Sequence, residues 1–198
     1  MRAAVTGARL ADDLRGLGLL PGATVMVHTR MSALGWVIGG SGTVVKALLD
    51  VLGPEGTLVA YASWAEHVYH AEDWPAEHRE AYLRDPPVFD LATGEVDRDY
   101  GRIPERVRTW PGAVRSSHPE ASVVAVGARA SWICTPHPDD DGYGAGSPFA
   151  RLVAVATRRK NTCEPSGETV KFLGAPRVNR WVRACWRGKE VSLPTRPP

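Results

Sequence analysis

The sequence predicts an α/β fold: a central mixed β-sheet flanked by helices, in the manner of an α/β/α sandwich. Three observations predict it. Between Thr24 and Trp64 the hydrophobic period switches twice, from a β-branched run (Thr24 to His28) to helical spacing (Val44, Val45, Leu48, Leu49, Leu52) and back to a strand (Thr57 to Tyr61). Further on, helical and strand-like segments keep alternating, with a helix over Tyr100 to Trp110 and a buried strand over Ala121 to Val126. The chain has 198 residues, 43% of them hydrophobic, which is ample for one core.

Taken in order, Thr6 to Leu17 reads as a first helix, capped by Thr6, with Leu10, Leu14 and Leu17 on one face and Gly18 ending it. The strand Thr24 to His28 runs into a loop, Thr29 to Gly40, that holds Gly35, Gly39 and Gly40. The next helix starts at Ser41 and stops at Gly53 and Pro54. A glycine loop feeding a helix start leaves backbone N–H groups free for an anion, and the helix dipole favours one there. Gly39 and Gly40 let a phosphate approach the backbone closely. The same pattern also serves as a plain tight connection, and neither GxxxxGK[ST] nor a strict GxGxxG is present. After Trp64 the chain turns polar and aromatic. A helix is predicted over about Trp74 to Leu83, with Asp73 as N-cap and Pro75 in its first turn, then a loop through Pro86 and Pro87 to Asp90. Ile103, Val107 and Trp110 share one side of the following helix, which Pro111 and Gly112 end. Gly127 to Trp132 reads as a helical turn, His137 to Asp141 as an acidic loop and Gly142 to Gly146 as a flexible turn. Ser147 then caps a helix with Pro148 at its first position.

A net charge of only +2 argues against a general nucleic-acid binder. Cys134, Cys163 and Cys185 lie far apart without a CxxC pair, so neither a zinc site nor a disulfide framework is indicated, and reduced thiols in a cytoplasm are expected. Met1 to Leu20 lacks the uninterrupted apolar run of a signal peptide, and no apolar run reaches membrane-spanning length. His67 and His70 form an HxxH beside Glu66, but HExxH spacing and a further ligand set are missing, so no metal is expected. In Arg115-Ser116-Ser117-His118-Pro119, Arg115 suits a phosphate. His118 suits either a backbone-bonded structural role or the holding of a substrate or carbonyl. A serine-hydrolase pairing of Ser116 or Ser117 with His118 is poor, because adjacent side chains rarely aim at each other and no GxSxG elbow exists. Glu66, Glu72, Asp73, Asp90, Asp97 and Asp99 stand beside Tyr61, Trp64, Tyr69 and Trp74. That composition makes either a solvated acidic loop or a surface for a polycation with rings to cover.

The stretches VMVHTRMSALGWVIGG, ALLDVLGPEGTLVAYASW, RTWPGAVRSSHPEASVVAVG and GYGAGSPFARLVA, in this order and spacing, closely resemble the aminoglycoside 3-N-acetyltransferases over about Ala8 to Ala156. The resemblance implies a cytoplasmic acyltransferase that carries acetyl from acetyl coenzyme A to the 3-amino group of a deoxystreptamine antibiotic, in resistance or self-protection. It implies direct transfer, without a covalent enzyme intermediate, and no nucleic-acid or membrane partner. It assigns coenzyme A to Thr29, Arg30, Met31, Ser32, Ala33, Leu34, Gly35, Gly39 and Gly40, with Arg115 and Ser116 nearby. It assigns the antibiotic to the segment after the second strand, with Tyr61, Trp64, Glu66 and Asp90 as contacts, and keeps His118 as a catalytic candidate. One departure is Ala65, where relatives often carry a carboxylate or amide after the tryptophan.

The resemblance stops near Ala156 and divides the chain into an α/β domain, 1–156, and a divergent tail, 157–198. The tail holds ten Lys or Arg and three Glu, a net of +7 against −5 for the rest. Val170 to Pro176 echoes the family's strand and GAP-like turn, later than expected. The family's T-x-L-H-x-x-E segment, which carries its base, has no counterpart, and no histidine follows His137. The expectation is a fold left incomplete at its C-terminus by truncation or frameshift, or a diverged chain whose tail contacts RNA or a partner. The rival to an active acetyltransferase is a relative that binds coenzyme A or aminoglycoside without turnover. An RNA-binding module lacks RNP or KH motifs.

Overall fold

The computed structural model describes residues 4–66, 71–158 and 170–173. In chain order the elements are α1 (Gly7–Gly16), β1 (Thr24–Val27), α2 (Met31–Leu34), α3 (Gly40–Leu52), β2 (Thr57–Tyr61), α4 (Ala76–Arg84), α5 (Arg102–Arg108), β3 (Val114–Arg115), β4 (Val123–Gly127), α6 (Ala130–Cys134), α7 (Pro148–Arg158) and β5 (Val170–Leu173). Two 3₁₀ turns, Ala71–Asp73 and Arg98–Tyr100, flank α4 and precede α5. The strands form one sheet in the order β3-β4-β2-β1-β5. β1 runs parallel to β2 and β5, while β4 is antiparallel to β2 and β3, so the sheet is mixed as expected.

Alternation along the strands explains the layering. Val25, Val27, Leu58, Ala60, Val124 and Val126 face α1, α3 and α5, where Leu10, Val44, Leu48, Ile103 and Val107 cover them. Met26, Val59, Val123 and Ala125 face the other way, against Ala130, Ile133, Cys134 and Leu152 of α6 and α7. Helices thus cover both faces of the sheet. Loops leaving β1 and β2 emerge at the same edge, where open α/β sheets bind ligands.

Several boundaries differ from the expected ones for identifiable reasons. Thr6 does cap α1, its hydroxyl accepting the Arg9 N–H at 3.2 Å, but Leu17 is the C-cap and is exposed. Pro75 is the N-cap of α4 rather than part of its first turn, because the residue before a proline is steered away from helical backbone. Asp73 therefore sits in the preceding 3₁₀ turn. The loop after β1 contains the single turn α2. The helical turn expected at Gly127 begins at Ala130, since Gly127 still pairs with Thr57. β3 is two residues long and had no period to betray it. β5 forms where Val170 to Leu173 suggested a strand, and pairs with β1 although it lies beyond the expected boundary at 156. His67, His70, Tyr69, Cys163, Cys185 and the remainder of the tail beyond Arg158 lie outside the described residues.

Candidate functional site

The loop from β1 to α3 is built around backbone. Val37 is buried, and its neighbours exchange two hydrogen bonds with Val5 (Val5 N–H to Trp36 O and Ile38 N–H to Val5 O, both 2.9 Å). Met31 and Leu34 lean on the core and anchor α2, while Arg30, Ser32, Ala33 and Gly39 remain exposed. Gly35 turns the chain at φ 84°. Gly39 and Gly40 have φ values of 79° and 62°, in the left-handed region that suits glycine. A Cβ on Gly39 would overlap Thr43 Oγ1, whereas one on Gly40 would meet open space. No side chain caps α3. The Gly40 N–H goes back to Val37 O at 3.0 Å, and the positive helix end stays open beyond it. Over this end lies Arg106, whose Nη2 would be 3.2 Å from a Cβ on Gly42. Arg106 is exposed and makes no ion pair among the described residues. The Thr29 hydroxyl is buried and has no hydrogen-bond partner among the described residues. Gly101 packs against the Thr29 carbonyl, so the turn before α5 closes on the loop's start. A cavity of about 540 Å³ opens there, lined by Glu95, Val96, Arg98, Gly101, Arg102 and Glu105.

Arg115 and Ser116, assigned to the coenzyme A side by the resemblance, are both engaged within the protein. The Arg115 guanidinium donates to Gly94 O (2.5 Å), Ala62 O (2.6 Å) and Ser122 Oγ (3.2 Å), and lies 4.8 Å from the Phe89 ring centroid. It ties the exit of β2, the 85–101 excursion and β4 into one body. Burial first, then the nearby Arg108 charge, pull its pKa down to about 10, with Glu105 opposing. Arg108 holds the same excursion from the other side. It is paired with Glu105 (2.7 Å) and donates to Ala92 O (2.6 Å), while Glu105 also accepts the Val96 N–H at 3.0 Å. Ser116 is fully buried. Its oxygen accepts the Val123 N–H at 3.0 Å and lies 2.9 Å from His137 Nδ1.

The sequence places His137 at the edge of an acidic loop, and in the structure it is a buried hub. Nε2 lies 3.1 Å from Gly142 O, which can only accept, so Nε2 carries the proton and Nδ1 accepts from Ser116. Burial is the main cause that lowers its pKa, with the neighbouring His118 and Arg151 adding and the Gly142 bond and Asp141 opposing. His118 stacks on it at 5.0 Å and accepts the Ala121 N–H at Nδ1, 3.0 Å away. A neutral ring bonded this way keeps its proton on Nε2 and has no spare lone pair. Of the two roles the sequence leaves open for His118, this geometry is that of the backbone-bonded structural one. The Gly142 to Gly146 turn is not loose either. Asp141 accepts from Gly144 N (2.6 Å) and Gly146 N (3.0 Å), and Arg151 donates to Gly146 O (3.0 Å).

The residues that the resemblance assigns to the antibiotic separate in the structure. Trp64 is 8% exposed, bridges Val96 and packs on Phe89 with ring centroids 5.5 Å apart, so it cannot offer its face to a sugar. Asp90 Oδ1 closes its own turn, accepting from Ala92 N, Thr93 N and Thr93 Oγ1, and these bonds lower its pKa. Glu66 is exposed, and its carbonyl receives the Tyr82 hydroxyl. Tyr61 alone joins a cluster, with Tyr100, Tyr143 and Phe149 around it. Sequence reasoning missed Tyr100, Tyr143 and Arg106, because nothing in their local pattern distinguishes them from ordinary surface residues. Among the described residues no group of three or more His, Cys, Asp or Glu is placed to hold a metal ion, and no helix is long and apolar enough to cross a membrane.

A mixed sheet with helices on both faces, which delivers a glycine loop and an uncapped helix start to the ends of its parallel strands, defines an α/β protein. A sequence profile of the aminoglycoside 3-N-acetyltransferases matches residues 26–158. Aminoglycoside N(3)-acetyltransferase VIII of Streptomyces fradiae is 47% identical over 173 residues, 87% of this chain and 57% of that enzyme. Among solved structures, aminoglycoside acetyltransferase AAC(3)-Xa superposes with a TM-score of 0.76 at 46% identity, covering 91% of this chain and 60% of its own. AAC-IIIb, binary with CoASH, gives 0.68 at 42% (78% and 57% covered), and AAC-VIa bound to sisomicin gives 0.73 at 33% (87% and 59%). The chain belongs to the aminoglycoside 3-N-acetyltransferase family. It spans a little over half the length of the curated relatives it matches.

Proposed function

We propose that this chain takes part in transfer of an acetyl group from acetyl coenzyme A to the 3-amino group of a deoxystreptamine aminoglycoside. The observation that carries the reading is the open α3 start behind a left-handed Gly39-Gly40 pair, inside the stretch that matches the family. The residues present fit the donor. The buried Thr29 hydroxyl has no hydrogen-bond partner among the described residues, and Gly42 lacks the side chain that would push the Arg106 guanidinium away from the helix start. When bound, acetyl coenzyme A supplies an acyl group activated as a thioester. In this reading the N–H groups opening α3 and the Arg106 guanidinium hold its phosphates. Gly35, Gly39 and Gly40 keep the loop backbone close to the bound chain, and Arg30, Ser32 and Ala33 line its exposed side. Arg115 and Ser116 act indirectly by fixing the frame behind the site. Tyr61, with Glu66 near it in sequence, belongs to the antibiotic side, which the carboxylates of the 85–101 excursion make attractive to a polycation.

One observation favours a second reading, binding without turnover: His118, the catalytic candidate, has no lone pair for the ammonium proton. Calorimetry with coenzyme A, followed by a thiol-release assay with acetyl coenzyme A and sisomicin, separates the two. Donor binding with aminoglycoside-dependent thiol release supports transfer. Donor binding without release supports the binding-only relative, and absence of donor binding removes both.

A further inference from the structure

We propose that Tyr61, Tyr100 and Tyr143, backed by Phe149, form the platform that receives the aminosugar acceptor, an inference that rests on the acyl-transfer reading. Four parts of the chain converge on it: the end of β2, the 3₁₀ turn Arg98–Tyr100, the Gly142 to Gly146 turn and the first residues of α7. The Tyr61 and Tyr100 rings meet edge to face at 4.6 Å, Phe149 lies 6.1 Å from Tyr61, and Tyr143 lies 5.1 Å from Phe149. The cluster sits at the strand edge to which β1 and β2 deliver their loops.

The polarity of the hydroxyls is ordered from inside to outside. Tyr61 OH lies 2.7 Å from Glu120 O, to which it donates, so the 2.9 Å bond between the two phenols has Tyr143 donating to Tyr61. Tyr143 OH thereby keeps its lone pairs for an incoming donor, and an ammonium or sugar hydroxyl is one. Burial, and then the Tyr143 bond, raise the Tyr61 phenol above its ordinary value and keep it protonated. Tyr143 is 65% exposed and Tyr100 39% exposed, yet Tyr143 is not a loose surface ring. Its loop is tied by the Asp141 bonds to Gly144 and Gly146 and by His137 donating to Gly142 O. An aromatic face held open by a pinned loop loses little entropy on binding and suits the apolar face of a sugar ring and its cationic nitrogens. Asp97, whose charge raises the Tyr100 pKa after burial does, adds negative potential at the rim. Trp64, the other aromatic in reach of this segment, is covered and leaves the role to the tyrosines.

The test is calorimetry of the full chain with sisomicin, and separately with coenzyme A, for wild type, Tyr143→Ala, Tyr143→Phe and Tyr100→Ala. Tyr143→Ala should weaken sisomicin binding by about tenfold, the size of a desolvated cation–ring contact. Tyr143→Phe should lose less, and coenzyme A affinity should not change in any variant. In wild type, saturation of aromatic protons should transfer to sisomicin ring protons in NMR, a measurement that needs no variant to fold. Unchanged sisomicin affinity in folded Tyr143→Ala, or no saturation transfer, overturns the platform. A wild-type chain that binds coenzyme A but not sisomicin also overturns it and leaves the donor reading standing. A chain that binds neither overturns both.

Discussion

Replacing Arg115 separates a structural clamp from a phosphate ligand. In Arg115→Ala three donated hydrogen bonds disappear, to Gly94 O, Ala62 O and Ser122 Oγ, together with the stacking on Phe89. Ala62 O keeps the Ser122 hydroxyl as a donor, so the group left poorest is Gly94 O. Hydrogen bonds from a charged group contribute about 1.5–3 kcal/mol each. Allowing for the surviving partner of Ala62 and for partial exposure, the loss should be about 3–5 kcal/mol, a large share of the roughly 5–15 kcal/mol that holds a domain together. Arg115→Lys should recover less than half, because an ammonium cannot span three acceptors set out for a planar fork. Urea unfolding followed by tryptophan fluorescence measures both variants, and coenzyme A calorimetry at low temperature measures the other hypothesis. If Arg115→Ala unfolds within about 0.5 kcal/mol of wild type, the ordinary range for an uninvolved surface site, and binds coenzyme A markedly less well, the clamp is wrong and the phosphate role returns.

Gly39→Ala should cost about 1–3 kcal/mol, from left-handed backbone plus overlap with Thr43 Oγ1, and Gly40→Ala only the backbone part; denaturant midpoints in the reverse order would refute the loop geometry. A folded Gly40→Val should bind coenzyme A more weakly, and equal affinity in calorimetry would speak against the loop as the donor site. His137 has a folded pKa below its ordinary 6.5, so its contribution to stability is intact above 6.5 and is lost as the pH falls through the folded value. Melting temperatures of wild type should therefore drop on acidification below about pH 6.5 while His137→Gln shows a flatter profile, and parallel curves would contradict the buried neutral imidazole. Sisomicin affinity should fall from low to high salt, since carboxylates at the rim supply part of the attraction; salt-independent binding would remove them from the account.

What the sequence made legible is the part governed by period and by backbone. The β1–α3–β2 unit declares itself because six apolar positions of α3 must repeat at helical spacing to cover Val25, Val27, Leu58 and Ala60. The glycine loop was readable because left-handed backbone demands glycine at Gly39 wherever the chain goes next. Where site and frame could not be told apart, the reason is a common one. Arg115, Ser116, Trp64 and His118 are residue types that serve equally well in a site or in a frame, and only the position of their partners decides which. Those partners are remote: Gly94 for Arg115, His137 for Ser116, Phe89 for Trp64. The tyrosine cluster escaped for the same reason, since Tyr61 and Tyr143 are 82 residues apart and join only when the sheet is assembled.

Direct acyl transfer, in the proposed reading, also asks for an acceptor for the ammonium proton. His137 is spent on Ser116 and Gly142, and His118 on Ala121. His28 is different. It follows β1 directly and has no hydrogen-bond partner among the described residues, and although part of the side chain is exposed, burial of the ring lowers its pKa. The register pairs Val27 with Ala60, so His28 leaves the sheet level with Tyr61, and alternation puts it on the side of Met26, Val59 and Tyr61. If the chain turns over, His28→Ala should remove the ionisation on the acidic limb of the kcat/KM profile, with a rate loss of about 10²–10⁴. His118→Ala should leave that ionisation in place and lower stability instead. Nitrogen NMR of the imidazoles tests the premise without any turnover, because His118 must show its proton on Nε2. A proton found on Nδ1 of His118 would reopen His118 as a candidate, and an unchanged pH profile in His28→Ala would exclude His28 as the base.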